Sequence, residues 1–246
     1  MKVHIPRRML AFLMFALLSP LAHASVTLSG TRVVFVASEK EVTIQMTNDG
    51  KLPALVQSWI DKGDQQASPD DIDVPFVITP SIFRIEPGRG QTLRIIHTGE
   101  SLPADKESLF WLNVLDVPPK ATDDQDVNRL QLAFRTRVKL MYRPDGLSGD
   151  ASSAPTQLTW RIAADSGQRA VLEATNPTPY VVNLSGIALV VDGKTFDAGV
   201  GFVRPGEKAR FPIKGALGAD VASCKVVYSS MDDWGASHAH QMDVAR

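Results

Sequence analysis

Apolar and polar residues alternate with a period of two along much of this chain, which predicts strands with one buried face. The longest run is Val127 to Pro144, VNRLQLAFRTRVKLMYRP. Leu130, Leu132, Phe134, Val138 and Leu140 share one parity, and Arg135, Arg137, Lys139 and Arg143 share the other. This predicts a long strand, apolar on one face and basic on the other, ending at Pro144 because proline suits a strand end. Two uses fit it: ordinary sheet structure, or an edge offered to another chain.

Shorter runs surround it. Val26–Phe35, Glu41–Thr47, Leu55–Ile60, Phe76–Ile78, Ile82–Glu86, Gln91–His97 and Leu109–Val117 precede the long strand. They are separated by turn signals such as Asn48-Asp49-Gly50 and Pro87-Gly88-Arg89-Gly90. After the Gly-, Ser- and Asp-rich stretch Pro144–Pro155, a second series is expected. It comprises Gln157–Ile162, Ala170–Ala174, Val181–Val191, Thr195–Phe196, Lys208–Ile213, Val221–Tyr228 and a last strand near Gln241–Val244. No useful helical period occurs. Many short strands at this spacing predict an all-β chain of two sandwich domains in tandem, residues 25–143 and 156–246, joined by a linker at 144–155.

Residues 1–24 stand apart. Lys2, Arg7 and Arg8, the apolar run Met9–Leu18 and Ala22-His23-Ala24 have the form of a secretory signal cleaved after Ala24, with an apolar run too short to span a bilayer. Its removal takes away three cations and no carboxylate, moving the formal charge from −1 to −4. That mild charge argues against bulk nucleic-acid binding. Export also makes the single cysteine informative: Cys224 has no intrachain partner and reads as a small apolar residue in a strand, the competing reading being a reactive thiol.

Catalytic signatures are missing: there is no G-x-S-x-G, P-loop, H-E-x-x-H or C-x-x-C. His238 and His240 would share a strand face, but no third ligand motif completes a metal site. Asp123–Asp126 and Asp232-Asp233 read as solvated turns, without the spacing of a glycosidase pair. Neither an enzyme nor a cofactor is expected. Taken alone, Leu130, Leu132 and Phe134 read as core residues, and Arg135, Arg137 and Lys139 as charges that protect an edge.

Several segments, in order, alter those weights. Thr31–Phe35, Ile85-Glu86-Pro87-Gly88, Glu107–Asn113, Pro118-Pro119, Lys139–Pro144, Asn176–Tyr180 and Trp234-Gly235 together resemble the periplasmic pilus (fimbrial) chaperones. The resemblance implies two immunoglobulin-like sandwiches set at an angle around a cleft. It also implies a function: lending an edge strand to an incomplete pilus subunit in the periplasm, then delivering the subunit to an outer-membrane usher. Leu130, Leu132 and Phe134 would be the donor side chains. Arg32 and Lys139 would anchor the subunit's C-terminal carboxylate, and Glu107, Arg143 and Asp233 would form an interdomain salt-bridge network. The stretch before the donor strand is short and lacks cysteine, as in the short-loop members. An open donor edge also admits self-association of the free protein. The remaining alternatives are a structural pilus subunit or adhesin, and an exported carbohydrate-binding sandwich.

Overall fold

A computed structural model describes residues 26–119, 131–165, 167, 169–215 and 224–244. The signal-like segment 1–24, Leu130 and the acidic stretch Asp123–Asp126 lie outside the described residues. The first sandwich contains β1 (Val26–Leu28), β2 (Arg32–Val36), β3 (Glu41–Asn48), β4 (Ala54–Asp61), β5 (Phe76–Thr79), β6 (Ile82–Ile85), β7 (Gly90–His97), β8 (Ser108–Val117) and β9 (Phe134–Arg143). Its sheets run in the orders β1-β3-β7-β5 and β2-β9-β8-β4-β6. Phe35, Met46, Val56, Leu93, Ile95, Leu112 and Leu140 fill the space between them.

The second sandwich contains β10 (Thr159–Ala164), β11 (Ala170–Thr175), β12 (Val182–Val191), β13 (Lys194–Val203), β14 (Lys208–Pro212), β15 (Cys224–Met231) and β16 (Ser237–Asp243). Sheets β10-β11-β14 and β13-β12-β15-β16 enclose Leu158, Trp160, Leu172, Leu189, Val226 and Tyr228. The all-β, two-sandwich expectation therefore agrees with the structure. Among the described residues no helix is long and apolar enough to cross a membrane.

Three elements differ from the expectation. Val26–Phe35 is two strands: β1 pairs with β3 in one sheet and β2 pairs in parallel with β9 in the other. The chain changes sheet across Ser29–Thr31, and Gly30 sits where an added Cβ would be 3.3 Å from the Arg32 carbonyl. β13 runs through ten residues where two were expected. Its glycines have tertiary roles: Gly199 (φ +86°) lies where the β12 pairing shifts register, and a Cβ on Gly201 would stand 2.7 Å from the Phe211 ring. Finally, β9 begins at Phe134 rather than near residue 127. Its antiparallel partner β8 ends at Val117, just before Pro118-Pro119, and the last ladder pair is Asp116↔Phe134. Gln131–Ala133 lie beyond that ladder; the Gln131 side chain donates instead to the Pro118 and Pro119 carbonyls at 2.9 and 2.8 Å.

The sandwiches meet along a small apolar seam of Leu109, Met141 and Val181 with Val34, Trp111 and Phe202. A charged brace crosses beside it. Arg143, the last residue of β9, donates from Nε to Glu107 Oε1 at 2.6 Å, and from Nη1 and Nη2 to the two oxygens of Asp233 at 2.7 and 3.0 Å. Glu107 is only 4 % exposed, and its second oxygen accepts the Val181 amide at 2.7 Å. The Glu107 end of this brace is therefore buried, while its Asp233 end is partly solvated.

Both partners titrate above their ordinary values, for different reasons. Burial pushes the Glu107 carboxyl up, against the pull of Arg143. Burial also opposes the charge on Arg143, but two carboxylates outweigh it and hold the guanidinium firmly ionised. Removing the cation would leave Glu107 buried without its charge partner. Arg143→Ala is expected to lower stability by about 3–5 kcal/mol, and Asp233→Asn by less because Asp233 is partly solvated. Denaturant titration of both variants checks the order; equal losses would assign the brace to its solvated end.

Candidate functional site

The outer face of the sheet containing β9 is ordered in cross-strand rows. One row runs Asp61–Trp111–Lys139–Arg32 across β4, β8, β9 and β2. The next runs Trp59–Asn113–Arg137. Both follow from odd parity on β9, which puts Arg135, Arg137 and Lys139 outside while Val138 and Leu140 enter the core. Pairing with β8 continues without a bulge from Phe134 to Tyr142. The apolar and cationic devices therefore do use opposite faces of one strand.

The cations on this face have different fates. Arg137 makes a two-pronged ion pair with the buried Asp61, and its guanidinium carbon lies 4.5 Å from the Trp111 ring centroid. Asn113 Nδ2 donates to the same carboxylate at 2.7 Å, as does the Gly63 amide at 2.6 Å. Arg135 donates to the Gln65 carbonyl at 2.9 Å. Asp61 and its hold on Arg137 are absent from the sequence reading; its position opposite Trp111 depends on a strand pairing that the sequence does not display.

Lys139 and Arg32 are direct partners across the parallel β2–β9 pair, and among the described residues neither makes an ion pair. Lys139 Nζ donates to Asn183 Oδ1 at 2.7 Å, and lies 4.6 Å from the Phe202 ring centroid and 5.6 Å from that of Trp111. Arg32 Nη1 donates to the Met231 carbonyl at 3.2 Å, and Nη2 lies 3.2 Å from Met231 Sδ. Its Nε is buried and has no hydrogen-bond partner among the described residues. Burial, together with the neighbouring Arg32 charge, lowers the Lys139 ammonium pKa to about 8. Burial likewise lowers that of Arg32, partly countered by Asp233 and Asp232. Two desolvated like charges at one point disfavour each other; a carboxylate placed between them would relieve both and give the donors charge-assisted bonds.

Beside this pair, β9 changes character. β2 covers one side of it only from Lys139 to Arg143. From Phe134 to Val138, that side has no neighbouring strand among the described residues. Leu132 is 50 % exposed and Phe134 60 % exposed. Both continue the parity of Val138 and Leu140 past the end of the sandwich core. Of the three expected donor side chains Phe134 lies on the open stretch and Leu132 just before it, while Leu130 is outside the described residues.

The remaining candidates have local roles. His238 Nε2 lies 2.8 Å from Asp232 Oδ2, whereas His240 Nε2 lies 2.7 Å from Ser230 Oγ and its ring stacks on Tyr228 at 4.9 Å. Among the described residues no cluster of three potential metal ligands occurs. Cys224 is half-buried at the start of β15, packed against the second core.

Comparison with known proteins places this geometry. Residues 25–148 match the pili and flagellar-assembly chaperone PapD N-terminal domain, and residues 153–242 match the pili assembly chaperone PapD C-terminal domain. The chaperone protein FimB/FhaD of Bordetella pertussis is 42 % identical over 236 residues, covering 94 % of this chain and 93 % of that protein. The crystal structure of YadV, a probable fimbrial chaperone of Escherichia coli K12, superposes with a TM-score of 0.77 at 40 % identity, covering 90 % of this chain and all of that one. A chain from the Salmonella enterica SafA pilin–SafB chaperone complex gives a TM-score of 0.74 at 28 % identity over 91 % of this chain and 98 % of that one. With both domains matched in order over nearly its whole length, the chain belongs to the PapD family of pilus-assembly chaperones.

Proposed function

We propose that this protein captures incomplete pilus subunits in the periplasm by donor-strand complementation. The carrying observation is that the open stretch of β9 ends where two half-buried cations without an ion-pair partner among the described residues sit side by side. The direction of the incoming strand follows. A segment whose C-terminal carboxylate rests between Arg32 and Lys139, and which covers residues 134–138, reaches the anchor from the Phe134 end. It therefore runs parallel to β9, in line with β2, and stops where β2 starts.

Backbone hydrogen bonds along that edge supply affinity and the carboxylate anchor sets register, since a one-residue slip reverses every side chain. Leu130, Leu132 and Phe134 then enter the subunit's groove, each contributing up to roughly 1.5–3 kcal/mol on full burial. Periplasmic location is supported by the signal-like residues 1–24. In this reading 25–143 is the capturing domain, 144–155 the linker and 156–246 the second domain. Delivery to an outer-membrane usher is part of the same proposed role and is supported by family membership. The exposed Leu132 and Phe134 beside an open edge support self-association of the free protein.

Pull-down of the tagged protein from periplasmic extract tests the reading. Wild type is expected to retain a small β-rich chain, Lys139→Ala and Arg32→Ala to lose it while remaining folded, and Leu132→Glu to retain much less of it. Unchanged retention by the two cation variants would overturn the anchor.

Binding should also depend on pH with a defined sign. A bound carboxylate favours charged Lys139, so above about pH 8 association must take up a proton and weakens, by up to about tenfold per pH unit. Lys139→Arg is expected to flatten that decline, because arginine stays charged. Stability responds oppositely. The folded-state pKa of Lys139 is depressed, so the folded chain binds fewer protons than the unfolded chain between about pH 8 and the ordinary lysine value, and this group's contribution rises with pH there. Titration of subunit affinity and of thermal stability over the same range separates the two effects.

A further inference from the structure

The first domain's row Trp111–Lys139–Arg32 faces a matching row of the second domain. Phe202, Asn183 and Met231 are direct cross-strand partners on β13, β12 and β15. The contacts run member to member. Trp111 meets Phe202 edge-on at 5.9 Å, Lys139 donates to Asn183, and Arg32 donates to Met231. Asn183 is 4 % exposed, and its amide nitrogen lies 3.5 Å from Met141 Sδ, so both ends of the amide are held.

Every acceptor this second row gives the cations is neutral: an amide oxygen, a main-chain carbonyl, a thioether and a ring face. Carboxylates do lie nearby but are engaged elsewhere. Asp233 is held by Arg143, Asp232 by His238 and the amides of Trp234 and Ala236, and Asp61 by Arg137. A neutral acceptor compensates part of the cost of burying an ammonium without cancelling its charge. It also occupies one of the three N–H donors of Lys139 and leaves two for a ligand.

We infer that Asn183 is a positioning residue of the carboxylate anchor, holding Lys139 in the cleft while keeping the Arg32–Lys139 pair doubly positive, and so makes capture selective for a free C-terminal carboxylate. The inference rests on the anchor reading proposed above. An aspartate at 183 would pre-empt the ligand by forming an ion pair with Lys139. An aliphatic residue would leave the buried ammonium without its acceptor and free to turn away.

The test uses the whole mature chain and a synthetic strand peptide of alternating valine and threonine, prepared both with a free C-terminal carboxylate and as the C-terminal amide. Affinities are measured for wild type, Asn183→Asp and Asn183→Ala, and Lys139 is titrated by NMR of its side-chain carbon in each. Wild type is expected to prefer the free carboxylate by about tenfold or more. Asn183→Asp should abolish that preference and raise the Lys139 titration. Asn183→Ala should reduce the preference and lower the titration.

A residue that merely packs would leave the Lys139 titration and the carboxylate preference in place, whatever it did to stability. If wild type prefers the carboxylate and both variants keep the preference with an unshifted Lys139, the inference on Asn183 falls while the anchor stands. If wild type itself does not distinguish the peptides, the anchor reading falls and takes the inference with it. Should Asn183→Asp fail to fold, Asn183→Ala decides by the same two readouts.

Discussion

The buried contact between Arg143 and Glu107, extended to Asp233, is the constraint on which the site depends. Glu107 opens the segment leading into β8, Arg143 closes β9, and Asp233 lies in the turn after β15. The brace therefore ties two adjacent strands of the first sandwich to the rim of the second. The apolar seam beside it is small, a few side chains around Leu109, Met141 and Val181. Hydrophobic burial is non-directional and would tolerate sliding of one sheet over the other. Arg143 bonds two carboxylates through its planar fork, and this geometry selects one placement. Only with that placement does the row Trp111–Lys139–Arg32 face Phe202–Asn183–Met231 member by member.

Charge is sorted with equal care on the outer face of the β9 sheet. Three cations of one parity point the same way, yet Arg137 is neutralised by Asp61, Arg135 reaches a loop carbonyl, and Lys139 is given a neutral acceptor beside the like charge of Arg32. The like-charged pair at the root of the cleft disfavours the isolated fold, and in the proposed reading a carboxylate ligand would turn that cost into affinity. In that reading the site combines an electrostatic anchor, which is stronger away from water, with a backbone edge, which needs exposure to be used. Strand parity separates them onto opposite sides of β9.

The strands of both sandwiches were largely legible because alternation and turn chemistry are local properties. Asp192-Gly193, for instance, is the two-residue hairpin loop between β12 and β13, with positive φ at both residues. Misreadings arose where a tertiary partner outweighed local pattern. The strand expected at Thr195–Phe196 extends through Gly199 and Gly201, which the β12 register shift and the Phe211 ring accommodate. Residues 131–133 keep strand alternation but lie beyond the end of β8, so no ladder forms there. Val26–Phe35 alternates loosely as one run yet divides between two sheets.

The order of residues by itself determined the all-β class, the two-sandwich plan, the two parities of β9 and, through a set of short motifs, the identity of Arg32, Lys139, Glu107, Arg143 and Asp233 as residues to watch. Those depend on spacing along one chain. Tertiary structure alone decided which cations remain unneutralised, that Glu107 is buried, that the open edge meets the Arg32–Lys139 pair, and that Asn183 faces Lys139. Each of these depends on contacts between residues tens of positions apart, such as Asp61 with Arg137, Lys139 with Asn183 and Arg143 with Asp233. Burial and ion pairing are properties of such neighbourhoods, and a neighbourhood exists only once strands have paired and sheets have packed.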